Sequence, residues 1–110
     1  MSGLPEHVAA NRRQWDAWAE DYVAAGEASW AGEPHWGLFG IPEARAGVLP
    51  ASVDGLDAIE LGCGTGYVSA WLARRGARPV GIDNSERQLE TARRLQAEHG
   101  IAFPLHHGNA

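Results

Sequence analysis

The chain has 110 residues with nine basic and fourteen acidic side chains, a formal charge of -5 with the histidines neutral, which allows one small domain at most. Hydrophobic residues make up 45% and charged residues 21%, ordinary globular usage that excludes a disordered, collagen-like or coiled-coil chain. No apolar run approaches the roughly eighteen residues of a membrane span, and the start lacks the basic-then-apolar layout of a signal peptide, so the expectation is a cytoplasmic protein without a membrane partner.

Over residues 5–25, Val8, Trp15, Trp18 and Tyr22 recur at spacings of seven, three and four, which predicts a helix with an apolar aromatic face and with Arg12, Arg13, Asp16 and Glu20 largely outside it. Gly26 is the expected stop. The following stretch is rich in Gly, Pro and aromatics without a period and reads as loops with a short helix over 42–48. Four of the five tryptophans lie at or before residue 36, so residues 1–52 are expected to form an aromatic helical lid on a core made by 53–110.

From residue 56 the pattern changes. Residues 56–61 form a short, mostly apolar run that ends in Gly62, Gly64 and Gly66, and Val68, Trp71, Leu72 and Gly76 suit a buried helix with a glycine cap. Residues 79–83 predict a second strand, and Ser85 with Gln88 forms a capping-box pair opening a helix whose Leu89, Ala92 and Leu95 face one way until Gly100. Residues 101–106 predict a third strand. The sum is β-α-β-α-β, an α/β chain whose right-handed crossovers give a parallel sheet in the order 3-2-1. Pro104, which has no amide to donate, suits an edge strand. The first strand is central in such sheets, so its second flank is expected to be open here, with the missing half supplied by a longer protein or another chain. If the chain ends at Ala110, that edge is where self-association is expected.

The chemistry concentrates in Glu60-Leu61-Gly62-Cys63-Gly64-Thr65-Gly66 and in Asp83, 21 residues beyond Gly62. Glycines there allow positive φ and close ligand approach, the next helix offers free amides, and an acid ending the second strand can accept from both hydroxyls of a ribose. A nucleotide is the implied ligand, in preference to a bare tight turn. The dinucleotide fingerprint needs Gly or Ala at position 67, which holds Tyr67, so an NAD-dependent oxidoreductase would require a degenerate motif. Glu60 would repel a pyrophosphate and attract an ammonium group.

All nine basic residues are arginine, which excludes a phosphate-loop or Schiff-base lysine, and they form short pairs instead of a basic stripe, so no nucleic acid partner is expected. Cys63 is the single cysteine; it points to a reducing compartment and reads as a packing residue more readily than as a nucleophile. His106 and His107 lie on opposite faces of a strand, so no metal site is expected. His35 reads as packing or surface, with a base under the lid as the sharper alternative.

ELGCGTG at 60–66 with GIDNS at 81–85 resembles motif I and the ribose acid of the class I S-adenosylmethionine-dependent methyltransferases. The resemblance implies a Rossmann-like, seven-stranded sheet of which the first three strands are present, S-adenosylmethionine as cofactor, and transfer of its methyl group to an acceptor, expected to be a small molecule. It implies that Gly62, Cys63, Gly64 and Gly66 wrap the methionyl and ribosyl part, that Glu60 orders the loop and the amino group, and that Asp83 takes the ribose. HHGNA at 106–110 resembles the segment that binds adenine, with Asn109 in place of the usual Asp and the amide of Ala110 beside the ring. Asn84 and Gln88 stand where the family often has apolar residues against adenine, and Tyr22 resembles a lid tyrosine that reaches the cofactor. No residue is assigned as catalytic; a truncated, non-catalytic module of the same fold is the alternative.

Overall fold

The computed structural model describes residues 5–37 and 39–109. β3 (Asp57–Leu61), β4 (Arg78–Asp83) and β5 (Leu105–His107) form a parallel sheet in the order β3-β4-β5, the order expected from the crossovers. Ile59 pairs with Val80 and Leu61 with Ile82, so these four side chains share one face. On that face Ile59 and Leu61 are 66% and 64% exposed. The opposite face, carrying Pro79 and Gly81, is buried by α4 (Tyr67–Arg74) and α5 (Glu86–His99). Among the described residues β3 pairs only with β4.

Both helices start and stop where local chemistry directs. Gly66, with φ 82°, precedes the first residue of α4, a conformation that a side chain would strain. Ser85 caps α5, its Oγ accepting from the Gln88 amide at 3.3 Å, and Gly100 closes it with φ 65°. Leu89, Ala92 and Leu95 are buried as their spacing predicts. The capping box is only half made: the Ser85 amide donates to Asp83 Oδ1 at 2.8 Å, so nothing there is left for the Gln88 side chain. An acid two residues earlier is the better placed acceptor.

The third strand is shorter than the predicted 101–106. Phe103 turns inward and stacks on Trp30 at 6.1 Å, which pulls the chain out of the sheet plane, and β5 begins only after Pro104, whose carbonyl accepts from the Gly81 amide at 2.9 Å. Trp30, Ala70, Leu95 and Phe103 form the buried cluster under the sheet.

The N-terminal part corrects the expectation of one helix ending at Gly26. α1 (Glu6–Trp18) is followed by a 3-10 turn (Ala19–Tyr22) and α2 (Val23–Ala31). Gly26 lies buried within α2 because it packs on Thr65: a Cβ at Gly26 would lie 2.7 Å from Thr65 Oγ1. Close packing overrides glycine's poor helix propensity. The docking face of α1 also differs. Val8 is buried, Arg12 Nε donates to Asn84 Oδ1 at 2.6 Å, and the Ser85 hydroxyl donates to Asp16 Oδ1 at 2.6 Å. The seam is therefore a stripe at i, i+4 and i+8 that includes the polar residues. Trp15, Trp18 and Tyr22 pack on one another, with Trp15 edge-on to Trp18 at 5.3 Å, and remain 36%, 43% and 42% exposed.

Between α2 and β3, β1 (His35–Trp36) pairs antiparallel with β2 (Ile41–Pro42), and α3 (Glu43–Ala46) follows within the predicted 42–48. Glu43 organises this segment, its Oε1 accepting from Trp36 Nε1 and the Val48 amide, both at 2.9 Å. No helix among the described residues is long and apolar enough to cross a membrane.

Candidate functional site

The carboxyl ends of β3 and β4 open into a cleft of two lobes, the place where parallel α/β sheets bind ligands. One lobe, of about 390 Å³, is lined by Trp15, Asp83, Asn84 and Asn109. The other, of about 340 Å³, is lined by Tyr22, Glu60, Thr65 and Tyr67. Gly62, Gly64 and Gln88 border both. Gly62 and Gly64 have φ 68° and 57°, so the loop turns by a route open to glycine and keeps the floor free of side chains.

Asp83 holds the loop in place. Its Oδ2 accepts from the Gly64 amide at 2.7 Å and its Oδ1 from the Ser85 amide at 2.8 Å. Sequence reasoning treats both oxygens as ribose acceptors; each already carries one backbone amide. A carboxylate offers about four acceptor sites, so room for a diol remains, but Asp83 is also the bolt between the glycine loop and the start of α5. Asn84 lines the same lobe and holds α1, its Nδ2 donating to the Val8 carbonyl at 3.3 Å.

Glu60 stands in the other lobe. Its Oε1 accepts from the Ser69 hydroxyl at 2.7 Å and the Ser69 amide at 3.1 Å, which anchors β3 to α4. Burial pushes its carboxyl above the usual range; the Ser69 bonds oppose this, and the Asp83 charge adds to it. The folded state thus holds this proton more tightly than the unfolded chain does, so the group's contribution to stability is fully present below the ordinary carboxyl pKa and is lost as pH rises through the raised value. Glu60→Gln keeps the acceptor and removes the charge. In thermal melts of the unliganded protein, the variant is expected to gain on wild type as pH rises from about 4 to 7; a difference independent of pH contradicts this.

Cys63 is buried, and a Cβ on Gly81 would lie 2.9 Å from its Sγ. Burial first, then the charges of Glu60 and Asp83, push its thiol up to about 12, so it stays a neutral packing group. Gly66 lies behind the cleft floor, a Cβ there meeting Phe103 at 3.4 Å. His35 borders neither lobe; its ring lies 5.1 Å from that of Trp71. His107 Nδ1 is 3.2 Å from Glu86 Oε2. Ala110 lies outside the described residues. Trp15, Asn11 and Thr65 border the cleft without having been singled out as ligand contacts; only the aromatic spacing along α1 pointed to Trp15.

Residues 58–110 match the family model described as a methyltransferase domain. The chain is similar to the ubiquinone biosynthesis O-methyltransferase of Methylocella silvestris, 37% identical over 69 residues that are 63% of this chain and 26% of the relative. It is also similar to that of Leptothrix cholodnii, 44% identical over 48 residues, 44% of this chain and 20% of the relative. A solved structure from work on converting a disulfide bond into a thioacetal group during echinomycin biosynthesis superposes with a TM-score of 0.62 at 22% identity, covering 89% of this chain and 39% of that one; this likeness speaks for the fold. The match over 58–110 and these relatives support a class I S-adenosylmethionine-dependent methyltransferase family for this part of the chain. The chain matches about a quarter of the length of the first of these relatives.

Proposed function

We propose that the two-lobed cleft binds S-adenosylmethionine, with the aminoacyl end in the Glu60 lobe and the adenosine in the Asp83 lobe, and that this chain forms the cofactor-binding part of an O-methyltransferase for a small hydroxyl-bearing molecule. The observation that carries the reading is the placement of two carboxylates in separate lobes joined by the glycine floor. Glu60 matches an ammonium group by charge, and Asp83 matches a diol by its remaining acceptor sites. A dinucleotide would lay its pyrophosphate near Glu60, with the Tyr67 ring beside it; both features disfavour that ligand.

When bound, the cofactor supplies a methyl group already activated by the sulfonium. The chain's work is then to orient and to exclude water. Asp83 and Gly64 fix the nucleoside end, Asn109 stands at the adenine end, and Tyr22 with Trp15 forms the aromatic wall over the lobes. The division into a lid over 1–52 and a cofactor-binding half over 53–110 is part of this proposal. The acceptor's hydroxyl is proposed from the names of the relatives alone.

Titration of ¹⁵N-labelled protein with S-adenosylhomocysteine tests it. The Gly62, Cys63, Gly64 and Asn109 amides are expected to shift together and saturate. Shifts confined to the separate groove of about 560 Å³ at Trp71, Arg74 and His99 overturn it.

A further inference from the structure

Gln88 has no structural task that accounts for it. Its backbone amide, not its side chain, meets the Ser85 cap, and the return bond of the capping box is pre-empted by Asp83. The side chain is 5% exposed, and its Oε1 is buried with no hydrogen-bond partner among the described residues. Natural interiors rarely leave such an acceptor unmet. An apolar side chain of that length would fill the site without the penalty.

Its position suggests what meets it. Gln88 borders both lobes, and its Nε2 lies 3.9 Å from where a Gly64 Cβ would be, so the carboxamide sits where the two lobes join. A ligand spanning them as proposed above puts its ribose at that junction. Between the ammonium at one end and the adenine amino group at the other, a nucleoside thioether has only the two ribose hydroxyls as donors. Asp83 is close by, but each of its oxygens already holds an amide.

We propose that Gln88 is a specificity-determining residue whose carboxamide hydrogen-bonds one hydroxyl of the bound ribose while Asp83 takes the other. The inference rests on the cofactor reading. A half-turn about the terminal torsion, which is broad for Gln, brings the oxygen to the Gly64 side. A hydroxyl both donates and accepts, so the bond forms with either end of the amide.

The test compares wild type with Gln88→Leu, using S-adenosylhomocysteine and its 2′-deoxy and 3′-deoxy counterparts. The Gln88→Leu variant should bind S-adenosylhomocysteine about tenfold more weakly, while its melting temperature without ligand is equal to or above that of wild type. In wild type each deoxy analogue should bind more weakly than the parent. In Gln88→Leu one of the two penalties should vanish and the other persist. Should Gln88→Leu fail to fold, Gln88→Met, unbranched and of similar length, carries the same comparison. Both penalties persisting in the variant, or unchanged affinity for the parent, overturns this inference alone. A wild type that does not bind S-adenosylhomocysteine overturns the cofactor reading and this inference with it.

Discussion

Asp83→Ala is expected to weaken S-adenosylhomocysteine binding by about 1–3 kcal/mol, roughly five- to 150-fold, and Asp83→Asn by less. Alanine removes the ribose acceptor and also the bonds to the Gly64 and Ser85 amides, so the floor of the cleft loses its brace as the ligand loses a partner. Asparagine keeps one acceptor oxygen and can preserve one of those bonds. Titration calorimetry on the three proteins reads the order directly. Alanine binding as tightly as wild type contradicts the role given to Asp83, and asparagine binding more weakly than alanine contradicts the two-amide brace.

Trp30→Ala is expected to cost about 3–5 kcal/mol of stability. The ring is fully buried, stacks on Phe103 and donates its indole N–H to the Thr65 carbonyl at 2.7 Å. Trp30→Phe keeps most of the ring and strands that carbonyl, for about 1–3 kcal/mol. Thr65 belongs to the glycine loop and lines the Glu60 lobe, so the phenylalanine variant should also weaken S-adenosylhomocysteine binding. Denaturant midpoints order the three proteins; alanine tolerated better than phenylalanine contradicts this account of the core.

The elements most legible in the sequence are those whose causes are local. The glycine loop, the Ser85 cap, the Gly100 stop and the Leu89–Ala92–Leu95 face each follow from residues within a few positions of one another, and the sheet order follows from crossover handedness. What escapes is set by distant partners. Arg12 and Asp16 read as solvent-facing because nothing near them reveals that Asn84 and Ser85 will stand opposite. Gly26 reads as a stop because the Thr65 side chain that requires it lies 39 positions away. Phe103 reads as strand because the pull of Trp30 is invisible in a stretch of six residues.

The candidate site divides in the same way. Glu60, Gly62, Gly64 and Asp83 are legible because residue type and spacing carry the chemistry. Gln88 is legible as a cap, and its side chain's lack of a partner emerges only when Asp83 is seen to hold the Ser85 amide. Trp15 belongs to an aromatic face whose period is plain, yet which side of α1 looks into the cleft depends on the polar seam on the other side.

The most direct measurement runs the amide-resolved titration with S-adenosylhomocysteine and with NADH side by side. The account predicts saturable shifts at Gly62, Gly64 and Asn109 for the first ligand and none at those positions for the second. NADH shifting the glycine loop while S-adenosylhomocysteine leaves it unmoved would contradict it.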